Sequence, residues 1–204
     1  MAIKLYHAPL SRSVRVRWLL EELGTDHEIV TLDFMGGDLQ KPEFLARHPL
    51  GKVPVLEDGD LRLWESGAIV EYLCEKYDPE GRFAPRPGEA ERGPYLQWVH
   101  FAEATAMNPI GDLVQHTMMR PENERIPAVA EDARRRIARW LEVLDEHLAS
   151  RPYLLERGFT AADVMMGYTA SSAKLTGQVG DRFPNVSAYL ERLVARPAFQ
   201  RATA

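Results

Sequence analysis

The chain has 204 residues, 45% hydrophobic and 27% charged, with a formal net charge of -5, which allows one large domain or two small ones and excludes a disordered polymer. No run approaches the ~18 consecutive apolar residues of a membrane span, and MAIKLYHAPLSRS lacks the apolar stretch of a signal peptide. A single cysteine, Cys74, rules out an intrachain disulfide and a Cys-x-x-Cys redox pair, so a cytoplasmic protein is expected.

Residues 1–80 alternate between strand and helix patterns. Ile3–His7 reads as a strand. Pro9 punctuates, and Ser11 or Ser13 opens a helix with Val14, Trp18, Leu19 and Leu23 on one face, stopped by Gly24. His27–Leu32 is a second strand, which a right-handed crossover makes parallel to the first. A short helix is expected around Pro42–Ala46. Val53–Leu56 and Leu61–Trp64 flank Asp58-Gly59 as a hairpin, and Ser66 opens a helix through Tyr77.

Strands then stop. The stretch 78–94 holds four prolines and three glycines and reads as a linker, with residues 81–90 at its centre. Beyond it come helices over Tyr95–Met107, along the Val129–Leu148 apolar stripe, over Thr160–Lys174 and over Val186–Val194. Residues 1–80 carry nine Lys/Arg against fifteen Asp/Glu, and the remainder sixteen against fifteen. Neither half is basic enough for a nucleic-acid partner. The expected architecture is an α/β domain over 1–80 followed by an all-helical domain over 91–204.

Candidate chemistry gathers in the first unit. Ser11, just after the first strand, is either a hydroxyl donor to an anion at a helix N-terminus or a plain N-cap. Pro54 inside an apolar strand run is either an edge proline or a cis residue that turns the Val53 N–H and C=O outward to pair with an extended peptide. Glu65-Ser66 is either a helix cap or a head-group site, with ammonium on Glu65 and carboxylate on Ser66. Thr160 to Asp163 has capping-box spacing and reads as structural.

The remaining signals point elsewhere. The six histidines show no metal-ligand spacing, Arg134-Arg135-Arg136 with Arg139 shares its helix with acids as a solvated face, and no glycine-rich phosphate loop occurs. Trp98, Phe101, Met107, Met118 and Met119 are either core or an adaptable apolar pocket.

Three segments, LYHAPLSRSVRVRWLLEELG (Leu5–Gly24), HPLGKVPVLEDG (His48–Gly59) and LWESGAIVEYL (Leu63–Leu73), occur in order and together resemble the cytosolic glutathione transferase superfamily, in particular its theta-like and bacterial serine-type members. The resemblance implies a thioredoxin-like domain, an all-helical domain, a homodimer and a role in detoxification. It implies that Val53, before a cis Pro54, pairs its backbone with the cysteinyl part of glutathione. By the same resemblance Lys52 lies near the glycine carboxylate, and Glu65 and Ser66 hold the γ-glutamyl end. Ser11 takes the place of the serine that activates the thiol. Tyr6, at the end of the first strand, is the rival for that role.

Glutathione is then the co-substrate, with no metal, and a small hydrophobic electrophile is the second partner, for which Met107, Met118 and Met119 are candidate contacts. No cysteine stands at the reductive position of this loop. A glutathione-dependent peroxidase, isomerase or dehalogenase, or a non-catalytic scaffold, is the alternative. The energetics balance: lowering a thiol pKa from ~8.5 by ~1.5 units needs roughly 2 kcal/mol, which one hydrogen bond to the anion and a helix N-terminus supply.

Overall fold

A computed structural model describes residues 3–204. The chain forms two compact units, Met1–Ala84 together with Val194–Ala204, and Pro85–Leu193.

The first unit is built on a four-stranded sheet. Strands β1 (Ile3–His7) and β2 (His27–Thr31) pair in parallel, with Ile3 opposite His27, across helix α1 (Ser13–Leu23). After a 3-10 turn (Asp38–Gln40) and the short helix α2 (Pro42–Leu45), β3 (Val55–Asp58) runs antiparallel to β1. Strand β4 (Leu61–Trp64) closes the edge, giving the order β2-β1-β3-β4, and helix α3 (Ser66–Tyr77) follows. Gly59 takes φ +62° in the two-residue turn of the β3–β4 hairpin, and Gly24 takes φ +67° after α1 while its N–H reaches the Leu20 carbonyl. Strand β3 starts at Val55 and not at Val53, because Pro54 has no N–H for the ladder.

Leu5, Leu56, Val16, Trp18, Leu19, Ile69 and Leu73 are all fully buried, each contributing about 1.5–3 kcal/mol of transfer free energy. The hairpin is clasped to α3 through Asp58, whose Oδ2 accepts hydrogen bonds from Tyr77 (2.6 Å), Tyr72 (2.7 Å) and Lys76 (2.8 Å). Burial alone would raise the Asp58 carboxyl, but those three donors and the lysine charge outweigh it and hold the pKa at about 2. A carboxyl depressed on folding stabilises above its ordinary range and loses that contribution as pH falls through its folded value. Asp58→Asn should therefore lower stability by about 2 kcal/mol at neutral pH, the gap to wild type closing between pH ~4 and ~2, as read by urea unfolding across that range.

The second unit is helical. Helix α4 (Arg92–His100), a π-helical stretch (Phe101–Met107), α5 (Asn108–Val114) and a second π-helical stretch (Gln115–Met119) follow one another directly. The expected end at Met107 is corrected: the run continues to Met119. Pro109 offers no N–H to the turn before it, and the wider π turns over 101–107 accommodate it. Then come α6 (Pro127–Leu148), α7 (Ala161–Leu175) and α8 (Pro184–Val194). Tyr95, Ile110, Ile137, Leu141, Leu144, Met165 and Tyr189 form the core of this unit. Thr160 and Asp163 make the expected capping box at the start of α7.

The final helix, α9 (Pro197–Thr203), belongs to the first unit and packs on α1. Phe199 meets Trp18 edge-on, with centroids 4.9 Å apart, and Arg196 grips both oxygens of Glu22 at 2.6 and 2.8 Å.

Candidate active site

Alternation along β1 sends Tyr6 and His7 to opposite faces of the sheet. On Tyr6's face the hydroxyl is engaged twice: it accepts from Arg47 Nε at 2.7 Å and donates to Glu57 at 3.1 Å. It lines a hollow with Lys4, Val30, Leu32 and Phe44. On the other face His7 meets the start of α1, where Ser11 and Ser13 sit.

A separate polar cleft is lined by Arg12, His48, Lys52, Val53, Pro54, Glu65 and Ser66. It gathers all the predicted glutathione contacts except Ser11, whose neighbour Arg12 lines it. Tyr6 is not part of it. The Val53-Pro54 bond is cis, and among the described residues neither main-chain group of Val53 has a hydrogen-bond partner. Cationic Arg12 and Lys52 and anionic Glu65 line one wall set, so the cleft offers both signs of charge to a zwitterionic ligand.

Ser66 is buried at the N-terminus of α3, where it accepts a 3.0 Å hydrogen bond from the guanidinium of Arg15. With its acceptor site so used, its own proton is free for an anion, beside the unpaired N–H groups of the first helical turn. Arg15 itself, in the first turn of α1, is fully buried. His48, also buried, accepts from the Leu50 N–H at 3.1 Å on Nδ1, which leaves its proton on Nε2; burial, and next the Lys52 charge, lower its pKa against the pull of Glu65. Arg12, Arg15 and His48 escaped the sequence reading.

Ser11 is not the N-cap of α1. That position is Arg12, and Ser11 instead accepts the Ser13 N–H at 3.2 Å from one residue further out. Just two non-glycine residues have positive φ among the described residues: Leu10 (+60°) and Glu65 (+76°). Each immediately precedes one of the two serines singled out from the sequence. Such backbone costs on the order of 1–3 kcal/mol per residue and persists only where the surrounding structure imposes it.

In the helical unit Met107 is half-buried at the end of the first π stretch, whereas Met118 and Met119 stand 66% and 43% exposed at the end of the second. Those two are not core. Among the described residues no three His, Cys, Asp or Glu side chains converge, and no helix is long and apolar enough to cross a membrane.

Residues 1–75 match the family profile of the glutathione S-transferase N-terminal domain, and residues 106–197 that of its C-terminal domain. Glutathione S-transferase 3 of Zea mays is 38% identical over 99% of this chain and 93% of its own length. The chain belongs to the glutathione S-transferase family. It is an enzyme of that class, with the transferase fold of a thioredoxin-like domain and a helical domain. Among solved glutathione transferases, URE2P6 from Phanerochaete chrysosporium, in complex with oxidized glutathione, is similar with a TM-score of 0.88 and 31% identity over 98% of this chain and 94% of that one. Ure2p5 from the same fungus, cocrystallized with 1-(S-glutathionyl)-2,4-dinitrobenzene, is similar with a TM-score of 0.85 and 28% identity over 98% and 92%. The transferase's polar cleft lies wholly within the stretch matched by the N-terminal profile.

Proposed function

We propose that this transferase ionises the thiol of glutathione at Ser11 and delivers the thiolate to a small hydrophobic electrophile. The carrying observation is the pair of strained residues, Leu10 and Glu65, that hold Ser11 and Ser66 at the N-terminal ends of α1 and α3. Glu65 takes the ammonium of the γ-glutamyl end. Its carboxylate goes to Ser66 and the N–H groups of α3, backed by Arg15. Val53 pairs its two free main-chain groups with the cysteinyl unit, as a peptide adds to a sheet edge. Lys52, with Arg12, neutralises the glycine carboxylate.

This alignment runs the cysteinyl thiol toward Ser11, whose hydroxyl and helix N-terminus stabilise the anion without a general base. The relative crystallized with a glutathionyl dinitrobenzene adduct supports an aromatic electrophile as the second substrate. Met107 and the exposed, polarizable Met118 and Met119 are the proposed electrophile contacts of the helical unit. A serine-type, theta-like enzyme, acting as a cytoplasmic homodimer in detoxification, completes the reading.

Glu65→Gly separates site from scaffold. Glycine accepts φ +76° without penalty, so the variant should melt higher than wild type while glutathione affinity, read by calorimetric titration, falls at least tenfold. Unchanged affinity would remove Glu65 from the site. Wild-type protein that binds no glutathione at all would leave a scaffold and refute the transferase chemistry.

A further inference from the structure

Behind Ser11 lies a chain of polar groups that the thiol chemistry above does not use. Ser11 Oγ is 2.7 Å from the Ala8 carbonyl and 2.6 Å from Ser13 Oγ, and Ser13 Oγ is 2.8 Å from His7 Nδ1. His7 and Ser13 are both buried. Two main-chain N–H groups feed the same oxygens: Ala8 donates to Ser13 Oγ at 3.1 Å and Ser13 donates to Ser11 Oγ at 3.2 Å.

Counting hydrogens sets the direction of the chain. Three heavy-atom contacts this short each need one hydrogen between them, and the two hydroxyls supply only two. The third must sit on His7 Nδ1. Were the imidazole protonated on Nε2 alone, one of the three contacts would set lone pair against lone pair. A longer alternative, Ser13 Oγ to the Ala8 carbonyl at 3.2 Å, competes poorly, because that carbonyl already receives the Ser11 hydroxyl and the Ser11 N–H.

We infer that His7 and Ser13 are positioning residues that fix Ser11 as a hydrogen-bond donor to the ligand: His7 Nδ1–H donates to Ser13, Ser13 O–H donates to Ser11, and the Ser11 O–H is the one free end of the relay. The inference rests on the proposed role of Ser11. Without ligand the Ser11 hydrogen rests on the Ala8 carbonyl, and with glutathione it turns to the sulfur. The Ser11 oxygen then accepts from both the Ser13 O–H and the Ser13 N–H, so it has no capacity to take the thiol proton, which leaves to water. Accepting two hydrogens also polarises its own O–H, which strengthens the bond it gives the thiolate. Burial, and next the Arg17 charge, lower the His7 pKa to about 4, so the ring stays neutral and keeps a single proton at neutral pH.

Two measurements on the full chain test this. Long-range proton–nitrogen NMR on protein labelled with 15N-histidine reads the His7 tautomer directly. Nδ1–H is expected, and Nε2–H overturns the relay. In parallel, the thiol pKa of bound glutathione is titrated in Ser13→Ala, Ser13→Thr and His7→Asn. Ser13→Ala should raise it by about one unit, which from a bound pKa near ~7 is roughly a fivefold loss of thiolate at pH 7, while Ser13→Thr and His7→Asn, which keep a donor in place, stay near wild type. Affinity for S-methylglutathione, which has no proton to lose, should be the same in all of them. A Ser13→Ala protein that weakens S-methylglutathione binding as much as glutathione binding shows a merely structural serine and refutes the relay. So does an unshifted thiol pKa in Ser13→Ala where Ser11→Ala does shift it. Should wild type itself bind glutathione with an unperturbed thiol, the underlying transferase reading fails, and that result is separable because it precedes any variant.

Discussion

Asp163→Ala should cost the fold about 3–4 kcal/mol, because it orphans four buried donors at once. The carboxylate accepts the Thr160 N–H at 2.8 Å, the Leu154 N–H at 3.0 Å, the Thr160 hydroxyl at 3.1 Å and the Tyr189 hydroxyl at 3.0 Å. It thereby joins the loop after α6, the first turn of α7 and the middle of α8. Each abandoned donor costs about 1–3 kcal/mol, offset in part because the wild-type anion is itself expensive to bury. Burial lifts the Asp163 carboxyl to about 6 against those donors, so it is ionised at neutral pH. Asp163→Asn removes the charge and keeps one acceptor oxygen, and should lose roughly half as much. Denaturant unfolding monitored by far-ultraviolet circular dichroism checks the ranking. Equal losses in the two variants would mean that the charge, and not the satisfied donors, carries the effect.

Ser11→Ala should lower glutathione conjugation roughly fifteenfold at pH 7, since the thiolate fraction falls from about half to about 3% when the bound thiol reverts to ~8.5. The deficit should shrink as pH rises past that value, because the thiol then ionises unaided. Tyr6→Phe makes the opposing test. Its hydroxyl is spent on Arg47 and Glu57 on the far face of the sheet, so removal should loosen the β1–β3 region while conjugation falls less than threefold. Initial rates across pH 6–9 separate the two. A greater loss in Tyr6→Phe would transfer thiol activation to the tyrosine.

Much of the first unit was legible because its signals are local. Pro54 in an apolar run, Asp58-Gly59 between alternating strands and Glu65-Ser66 ahead of a helix each state a backbone requirement within a few residues. What escaped was non-local. Arg15 reads as a solvent residue in the run Arg-Val-Arg, and only the arrival of α3 turns it into a buried partner of Ser66. His7 reads as an ordinary end of a strand, and its tie to Ser13 exists because the chain doubles back through Pro9. Helix α9 is too short to be called from periodicity, and its place on α1 depends on Arg196 finding Glu22 far back in the sequence. In the second unit the π-helical turns around Pro109 extend a helix that spacing at 3.6 residues would end. Met118 and Met119 ride on that extension, which is why composition alone left them undecided between core and pocket.

The proposed chemistry turns on an ionised glutathione thiol. Its most direct test is the ultraviolet thiolate absorbance of glutathione bound to the wild-type protein, titrated against pH beside free glutathione. A bound pKa near 7 is expected, about 1.5 units below the free thiol. Glutathione bound with the pKa of the free thiol would contradict it.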